Sequence, residues 1–178
     1  FAVGVFNGRV RVYRNTGGPL YPVDAWHFTQ TWLSPDLAPT TAVAWADVNS
    51  DGHLDLAVGN YGAADTVWET VAGVFPAAAT WTSAEISKTT SLAWGDWNND
   101  GYPELAAGHD GEPDIVYANL KSAPGMPQLH PLWVSEERYE TTGVAWGDRD
   151  GDGDLDLAIS QKGAGWSGFY ENTFAVPG

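Results

Sequence analysis

One short acidic motif occurs three times in this chain of 178 residues: DVNSDGHLD at 47–55, DWNNDGYPE at 96–104 and DRDGDGDLD at 148–156. Its pattern, D-x-[DN]-x-D-G-x-x-[DE], places oxygen-bearing side chains at loop positions 1, 3, 5 and 9. Hard cations such as Ca²⁺ take about six to eight oxygen ligands at about 2.3–2.6 Å, and a tight loop directs alternate residues towards one point. The glycine at position 6 permits the left-handed backbone that such a loop needs. The motif therefore predicts three calcium sites.

The predicted ligands are the side chains at positions 1, 3, 5 and 9 and the backbone carbonyl at position 7. In chain order they are Asp47, Asn49, Asp51, His53, Asp55, Asp96, Asn98, Asp100, Tyr102, Glu104, Asp148, Asp150, Asp152, Asp154 and Asp156. The residues that ligate through the backbone are His53, Tyr102 and Asp154. An EF-hand needs a bidentate acid at position 12, where this chain has Val58, Ala107 and Ile159. Short apolar segments flank each loop instead, which indicates a connection between two strands.

The loops belong to a longer repeat, because successive loops begin 49 and 52 residues apart. After each loop strand, the next strand carries an aromatic residue near its end: Trp68, Tyr117 and Tyr170. A further strand follows, marked by Trp81 and Trp133. The opening of the chain fits the same template without its first quarter, with Tyr13 matched to Trp68 and Trp26 matched to Trp81. Four strands per unit at this period are typical of β-propeller blades, whose faces are buried only against neighbouring blades.

The predicted fold is therefore a single all-β domain made of β-propeller blades, each of four antiparallel strands. The blades are expected at about 1–38, 39–88, 89–140 and 141–178, the first without its first strand and the last without its last. The incomplete blades leave two interpretations open. Copies associate through these ends into an oligomer or a head-to-tail filament, with the tail at 173–178 as a candidate donated strand. Alternatively, the chain is a fragment of a larger propeller.

The stretch VAWGDRDGDGDLDLAIS, followed by GFYENT, resembles the VCBS and FG-GAP repeats, which also occur in the propellers of integrin α-subunits. The resemblance extends over essentially the whole chain. It implies a β-propeller in which calcium is held between the first two strands of a blade. It also implies an extracellular or cell-surface location and a role in adhesion, carbohydrate binding or scaffolding. The first repeat departs from the pattern at Ala46, where the others have glycine, and the second ends its loop on Glu104.

The formal net charge of −15 is concentrated in the loops. Eleven of the 23 acidic residues lie there, three in each of the first two loops and five in the third. With only eight Lys and Arg, of which Arg9, Arg11 and Arg14 form a cluster, nucleic-acid binding is not expected. The chain has no cysteine and hence no disulfide, so calcium is expected to take the stabilising role. No apolar run of about 20 residues predicts membrane insertion.

Ten tryptophans raise the alternative of a carbohydrate-binding surface, because aromatic rings stack on sugar rings. Two sets recur at fixed repeat positions, which favours packing between blades. These sets are Trp45, Trp94 and Trp146, and Trp26, Trp81 and Trp133. Trp32, Trp97 and Trp166 lie outside the repeat positions, and Trp97 and Trp166 are the candidate ligand contacts.

No catalytic site is predicted. The four histidines lack zinc-site spacing, and Asp65, Asp110 and Asp114 have the spacing of solvated turn acids. The sequence favours a secreted, calcium-stabilised propeller with a structural or adhesive role, which self-assembles and has no enzymatic activity. The alternative function is a carbohydrate-binding propeller or an accessory module of a polysaccharide-active enzyme.

Overall fold

The computed structural model describes residues 1–16, 28–120, 128–163 and 167–173. Within these ranges the chain forms fourteen β-strands and no helix. The first seven are β1 (Ala2–Val3), β2 (Arg11–Asn15), β3 (Phe28–Leu33), β4 (Thr40–Ala46), β5 (Asp55–Ala63), β6 (Thr66–Trp68) and β7 (Trp81–Thr82). The other seven are β8 (Ser87–Gly95), β9 (Glu104–His109), β10 (Ile115–Asn119), β11 (Leu129–Val134), β12 (Glu140–Gly147), β13 (Asp156–Lys162) and β14 (Gly168–Tyr170). Over these ranges, therefore, no helix is available that could span a membrane.

The strands form four consecutive antiparallel units, and we call them the first unit (β1–β3), the second (β4–β7), the third (β8–β11) and the fourth (β12–β14). Within each unit, strands that follow one another in sequence pair with one another. Strand β5 also extends beyond its unit and pairs with β8 through Tyr61↔Lys88 and Ala63↔Ser87. This extension joins the second and third units into one eight-stranded sheet. The all-β, propeller-like fold predicted from the sequence is confirmed.

The first strands of the second, third and fourth units share one local structure. In β4, β8 and β12 a register shift follows the first residue of the Thr-Thr pair, and the tryptophan pairs with a leucine of the next strand. The leucine pairs are Trp45↔Leu56, Trp94↔Leu105 and Trp146↔Leu157. A bulge adds one residue to one strand and increases the local twist. The repeated sequence therefore gives these three units the same register shift and the same Trp–Leu pair.

The hydrophobic core lies between units rather than within them. Each of three buried clusters combines side chains of two consecutive units. For example, Ala57 and Val67 of the second unit pack with Leu105 and Tyr117 of the third. Five of the repeated tryptophans pack against these clusters: Trp45, Trp81, Trp94, Trp133 and Trp146. The prediction that periodic tryptophans pack between blades is confirmed for these five.

The predicted match between Trp26 and Trp81 is wrong. In the first three units, a valine of β2, β6 or β10 pairs with a tryptophan of the last strand of the unit, β3, β7 or β11. The pairs are Val12↔Trp32, Val67↔Trp81 and Val116↔Trp133. Trp32, and not Trp26, therefore holds the repeat position, because the paired valine and tryptophan are 20 positions apart in the first unit, against 14 and 17 in the second and third. Trp32 stacks on Phe75 with a centroid distance of 4.4 Å and meets Trp68 edge-on at 5.0 Å, whereas Trp26 lies outside the described residues.

Candidate metal centres

Each acidic loop joins the first two strands of a unit. The loops at 47–54, 96–103 and 148–155 connect β4 to β5, β8 to β9 and β12 to β13. Position 6 is left-handed in all three, with φ of 87°, 88° and 99° at Gly52, Gly101 and Gly153. Position 4 is left-handed as well, with φ of 57°, 54° and 79° at Ser50, Asn99 and Gly151. Glycine adopts this conformation without steric penalty, and asparagine does so more readily than most residues. The sequence predicted the first of these turns but not the second.

The carboxylates at positions 1 and 5 organise the loop backbone. Two backbone N–H groups donate to the two oxygens of the position 1 carboxylate, one of them from the glycine at position 6. The distances are 3.0 and 2.8 Å for Asp47, 3.0 and 2.8 Å for Asp96, and 2.7 and 3.2 Å for Asp148. The N–H of position 7 donates to the position 5 carboxylate at 2.9 Å in every loop. Because a carboxylate has about four lone-pair sites, these bonds leave acceptor capacity for a cation.

The oxygen ligands present fit a calcium ion. Asp148, Asp150 and Asp152 each offer one carboxylate oxygen, and these three oxygens lie within 4.8 Å of one another. Two oxygens bound to one calcium ion at about 2.3–2.6 Å lie at most about 5 Å apart. The first two loops have Asn49 and Asn98 at position 3, whose amide oxygens accept the N–H of position 5 at 3.0 Å. Carboxylate and amide oxygens are the hard ligands that calcium prefers.

The acid at position 9 lies deeper than the rest of its loop. Asp55 and Glu104 are 0% exposed and Asp156 is 5% exposed. Each accepts an N–H from position 2 of its own loop, at 3.0, 2.9 and 3.1 Å. Each also accepts a second backbone N–H, from a residue at or just beyond the end of β6, β10 or β14. The donors are Thr70 at 2.7 Å, Asn119 at 3.4 Å and Asn172 at 2.9 Å. The residue predicted as the last ligand is thus also a clamp between the loop and its own sheet.

The position 9 acids differ in their electrostatics. Burial raises the pKa of Asp55 to about 6 and that of Glu104 to about 7, and neighbouring loop acids add to both shifts. In contrast, the N–H groups of Asn172 and Arg149 lower the pKa of Asp156. A divalent cation beside a carboxylate favours its ionised form. The surroundings of Asp55 and Glu104 therefore disfavour their charged forms, and a bound cation would offset this effect.

The loops also contact one another through position 4. The hydroxyl of Ser50 in the first loop donates to the carbonyl of Gly101 in the second at 2.9 Å. The amide of Asn99 in the second loop donates to the carboxylate of Asp154 in the third at 2.9 Å. The three candidate centres thus form one row along the same end of the sheets.

A second set of contacts joins each of the first two loops to the following unit. Asn119 of the third unit donates its amide N–H to the carbonyl of Val48 in the first loop at 2.8 Å. Asn172 of the fourth unit donates in the same way to Trp97 in the second loop at 2.9 Å. Sequence reasoning missed both asparagines, although the signal was present: each follows a repeated aromatic residue, in VYAN and FYEN.

Trp97 is not an open platform for a ligand. It is half-buried and lines a cavity of about 90 Å³ between the third and fourth units, together with Trp133, Trp146 and Tyr170. Trp166, the other candidate contact, lies outside the described residues. A larger cleft of about 840 Å³ lies between the first and second units. Among the residues that line it are Phe1, Tyr13, Arg14, Trp32, Trp45 and Phe75.

The acids outside the loops have structural partners. Asp65 accepts the hydroxyl hydrogen of Thr89 at 2.8 Å, and Asp114 accepts that of Thr141 at 2.9 Å. Both bonds join one unit to the next, at the end of the sheets opposite to the acidic loops. Burial raises the pKa of Asp65 to about 6. Asp110 accepts a hydrogen bond from the hydroxyl of Tyr61 at 2.5 Å.

The fold and the loops together define a β-propeller-like repeat domain. Comparison with known protein families identifies the FG-GAP-like repeat, whose profile matches residues 1–58 and 47–107. The matched residues cover more than half of the chain, and the chain belongs to the FG-GAP-like repeat family. The predicted FG-GAP resemblance is confirmed, whereas the narrower VCBS designation stays a prediction. No match was found among curated proteins.

Proposed function

We propose that this FG-GAP-like domain is an extracellular, calcium-stabilised structural or adhesive protein that self-assembles and has no enzymatic activity. The observation that carries the proposal is the row of three acidic loops. In each loop, backbone N–H groups donate to the acids at positions 1, 5 and 9, and the first two loops contact both the next loop and the next unit. Acids held in such a row repel one another unless a cation lies among them.

The chain's own residues would hold each ion at positions 1, 3 and 5, with position 9 and the position 7 carbonyl completing the set. In the third loop the first three are Asp148, Asp150 and Asp152. Bound calcium supplies positive charge that offsets the repulsion among the carboxylates. The loop then keeps the first two strands of its unit together. Asn119 and Asn172 of the following units hydrogen-bond to the first two loops, so an ordered loop also stabilises the junction with the next unit.

An extracellular location is supported by the character of the sites. In the third loop the acids at positions 1, 3 and 5 are exposed, and extracellular calcium modules of modest affinity bind at about 10⁻⁴–10⁻³ M. The calcium concentration outside cells reaches this range, so exposed loops of this kind are occupied there without a buried, high-affinity site. The location predicted from the sequence is therefore part of the same proposal.

Isothermal titration calorimetry of the purified chain tests the calcium sites. We expect three ions per chain for the wild type and two for Asp100→Asn or Asp152→Asn, because each substitution removes a carboxylate at position 5. The matched control is Glu136→Gln, which removes one exposed acid outside the loops and leaves three ions bound. Absence of calcium binding by the wild type at millimolar concentration contradicts the proposal.

The cleft between the first and second units favours carbohydrate binding as a second candidate function, either as a binding propeller or as an accessory module of a polysaccharide-active enzyme. The stacked pair of Trp32 and Phe75 lines this cleft beside Tyr13 and Arg14. Aromatic rings and a polar side chain are a typical sugar-binding combination. A glycan array with free-sugar competition is the test: Tyr13→Ala should abolish binding, and Trp97→Ala should leave it unchanged.

A further inference from the structure

Glu69 is a buried acid beside the first acidic loop, and it lies outside the loop motif. It follows Trp68 at the end of β6 and is 2% exposed. Its carboxylate accepts a hydrogen bond from the side-chain amide of Asn49, at position 3 of the loop. Burial of a carboxylate is costly unless polar groups or a cation compensate for it. A buried acid at this place therefore points to a role in the loop rather than in apolar packing.

The backbone on both sides of Glu69 is held in place. The N–H of Glu69 donates to the hydroxyl of Thr80 at 3.1 Å. The N–H of the next residue, Thr70, donates to Asp55 at 2.7 Å. The preceding residue, Trp68, is paired within the sheet. The carboxylate of Glu69 thus reaches the loop from a fixed point of the second unit.

The hydrogen bonds of the Asn49 amide determine its orientation. Its oxygen accepts the backbone N–H of Asp51 at 3.0 Å, and its nitrogen donates to Glu69 and, at 3.4 Å, to the carboxylate of Asp51. A rotation of the amide by 180° would place its nitrogen against an N–H donor and its oxygen against a carboxylate, which when ionised only accepts. Glu69 thus favours the orientation in which the amide oxygen points to the loop backbone.

The second loop orients its asparagine with a residue of its own. The amide oxygen of Asn98 accepts the N–H of Asp100 at 3.0 Å, and its nitrogen lies 3.4 Å from the carboxylate of Glu104. Glu104 is the position 9 acid and is one methylene group longer than Asp55, its counterpart in the first loop. The two oxygens of Asp55 accept backbone N–H groups. In the first loop, therefore, a residue outside the motif accepts the amide N–H.

The equivalent positions of the other units support this comparison. The residues that follow the repeated aromatic residue of β6, β10 and β14 are Glu69, Ala118 and Glu171. Ala118 stands beside the second loop, which has Glu104 for the amide. The third loop has Asp150 at position 3 and so has no amide to orient. Its neighbour Glu171 lies 3.8 Å from the guanidinium of Arg149 instead, with 52% of its side chain exposed.

We propose that Glu69 is a positioning residue of the first calcium site, which holds the Asn49 amide with its oxygen towards the loop. This inference rests on the proposed calcium sites and adds to the first of them a residue from outside the motif. Glu69 acts through Asn49 and is not itself a ligand. Removal of such an outer partner lowers metal affinity by about 10- to 100-fold. The first site should therefore depend on Glu69, and the other two should not.

Calcium titration followed by nitrogen-15 NMR of the backbone tests this role, because the signals of Gly52, Gly101 and Gly153 each report on one loop of the same chain. We expect Glu69→Ala to raise the midpoint for Gly52 about tenfold or more and to change the other two midpoints much less. Glu69→Gln should lose less affinity than Glu69→Ala, since the glutamine carbonyl still accepts the amide N–H. Glu171→Gln is the matched control and should leave all three midpoints unchanged.

The variant Asn49→Asp provides a second test. Additional ligand charge normally strengthens calcium binding. Beside Glu69, however, the new side chain has no N–H to donate and faces a second carboxylate. We expect the change in first-loop affinity caused by Asn49→Asp to be about tenfold more favourable in a Glu69→Gln background than in the wild type, because residues in contact are energetically coupled.

The outcomes separate this inference from the calcium proposal. If all three loops titrate but Glu69→Ala does not move the Gly52 midpoint, the role of Glu69 is wrong and the calcium sites stand. A loss in Glu69→Gln as large as in Glu69→Ala would show that the carboxylate acts through its charge or binds the ion itself, which also overturns the positioning role. If no loop of the wild type responds to millimolar calcium, the proposed function itself fails. Unchanged titration of Gly101 and Gly153 verifies that each variant is folded.

Discussion

The second and third acidic loops share one pattern but differ in their surroundings. In the second loop, Asn172 of the following unit contacts Trp97, and burial raises the pKa of Glu104 to about 7. In the third loop, the carboxylates at positions 1, 3 and 5 are exposed, and the pKa of Asp156 is lowered. The nine-residue motif therefore determines which ligands are present. The surroundings of the loop determine how much a bound calcium ion would stabilise it.

Removal of calcium is expected to have the largest effect. If free calcium is tenfold above Kd at three sites, chelation lowers the free energy of unfolding by about 4 kcal/mol. For a domain of this size that corresponds to a fall in Tm of roughly 10 °C. Thermal unfolding followed by tryptophan fluorescence, in calcium and in EDTA, measures it. An unchanged Tm would mean that the loops do not depend on the ion.

The pH dependence of the calcium-free chain is expected next in size. Asp55 and Glu104 have folded-state pKa values of about 6 and 7 against ordinary values of 3.8 and 4.5. Between about pH 4 and 7 the folded chain then binds more protons than the unfolded chain, so the free energy of unfolding falls as pH rises. We expect a loss of about 1–3 kcal/mol from pH 5 to pH 7.5 in EDTA.

Urea denaturation at the two pH values measures this loss, and two variants sharpen it. Glu104→Gln should reduce the slope because it removes one of the raised groups. Asp156→Asn should not reduce it, since a lowered pKa contributes stability that is present above about pH 4 and lost only at more acidic pH. A stability that rises from pH 5 to pH 7.5 in EDTA contradicts the assignment of the raised groups.

Loss of a single site should cost more in the second loop than in the third. We expect Asp100→Asn to lower the free energy of unfolding in calcium by about 2 kcal/mol and Asp152→Asn by about 1 kcal/mol. The reason is that the second loop contacts the following unit, so its disorder would also loosen that junction. Urea denaturation in calcium measures both, and in EDTA the difference should disappear. Equal losses would show that the loops act independently.

The contacts between loops should have the smallest effect. Ser50→Gly removes one hydrogen bond to the next loop and Asn99→Gly removes two, while glycine accommodates the φ of 57° or 54° at that position. We expect a loss of about 0.5–1.5 kcal/mol for each. Calcium titration should show a few-fold weaker affinity in at least one loop. Unchanged affinities in both variants would limit these contacts to a packing role.

Local patterns in the chain were enough to predict the strands, the period and the loops. The alternation of apolar residues specifies a strand wherever it occurs. The order of acids and glycine in 47–55 likewise specifies a turn with converging oxygens, without help from distant residues. For this reason the all-β, propeller-like fold was predicted correctly, and the loops could be placed between the first two strands of a unit.

Contacts between residues far apart in the chain decided the rest. The asparagines that reach Val48 and Trp97 lie 71 and 75 residues further along, and no local pattern shows which loop they meet. The place of Trp32 in the first unit likewise depended on strand register, which pairs it with Val12. Burial of Glu104 raises its pKa while hydrogen bonds lower that of Asp156, because solvation depends on what covers a residue and not on its neighbours in sequence.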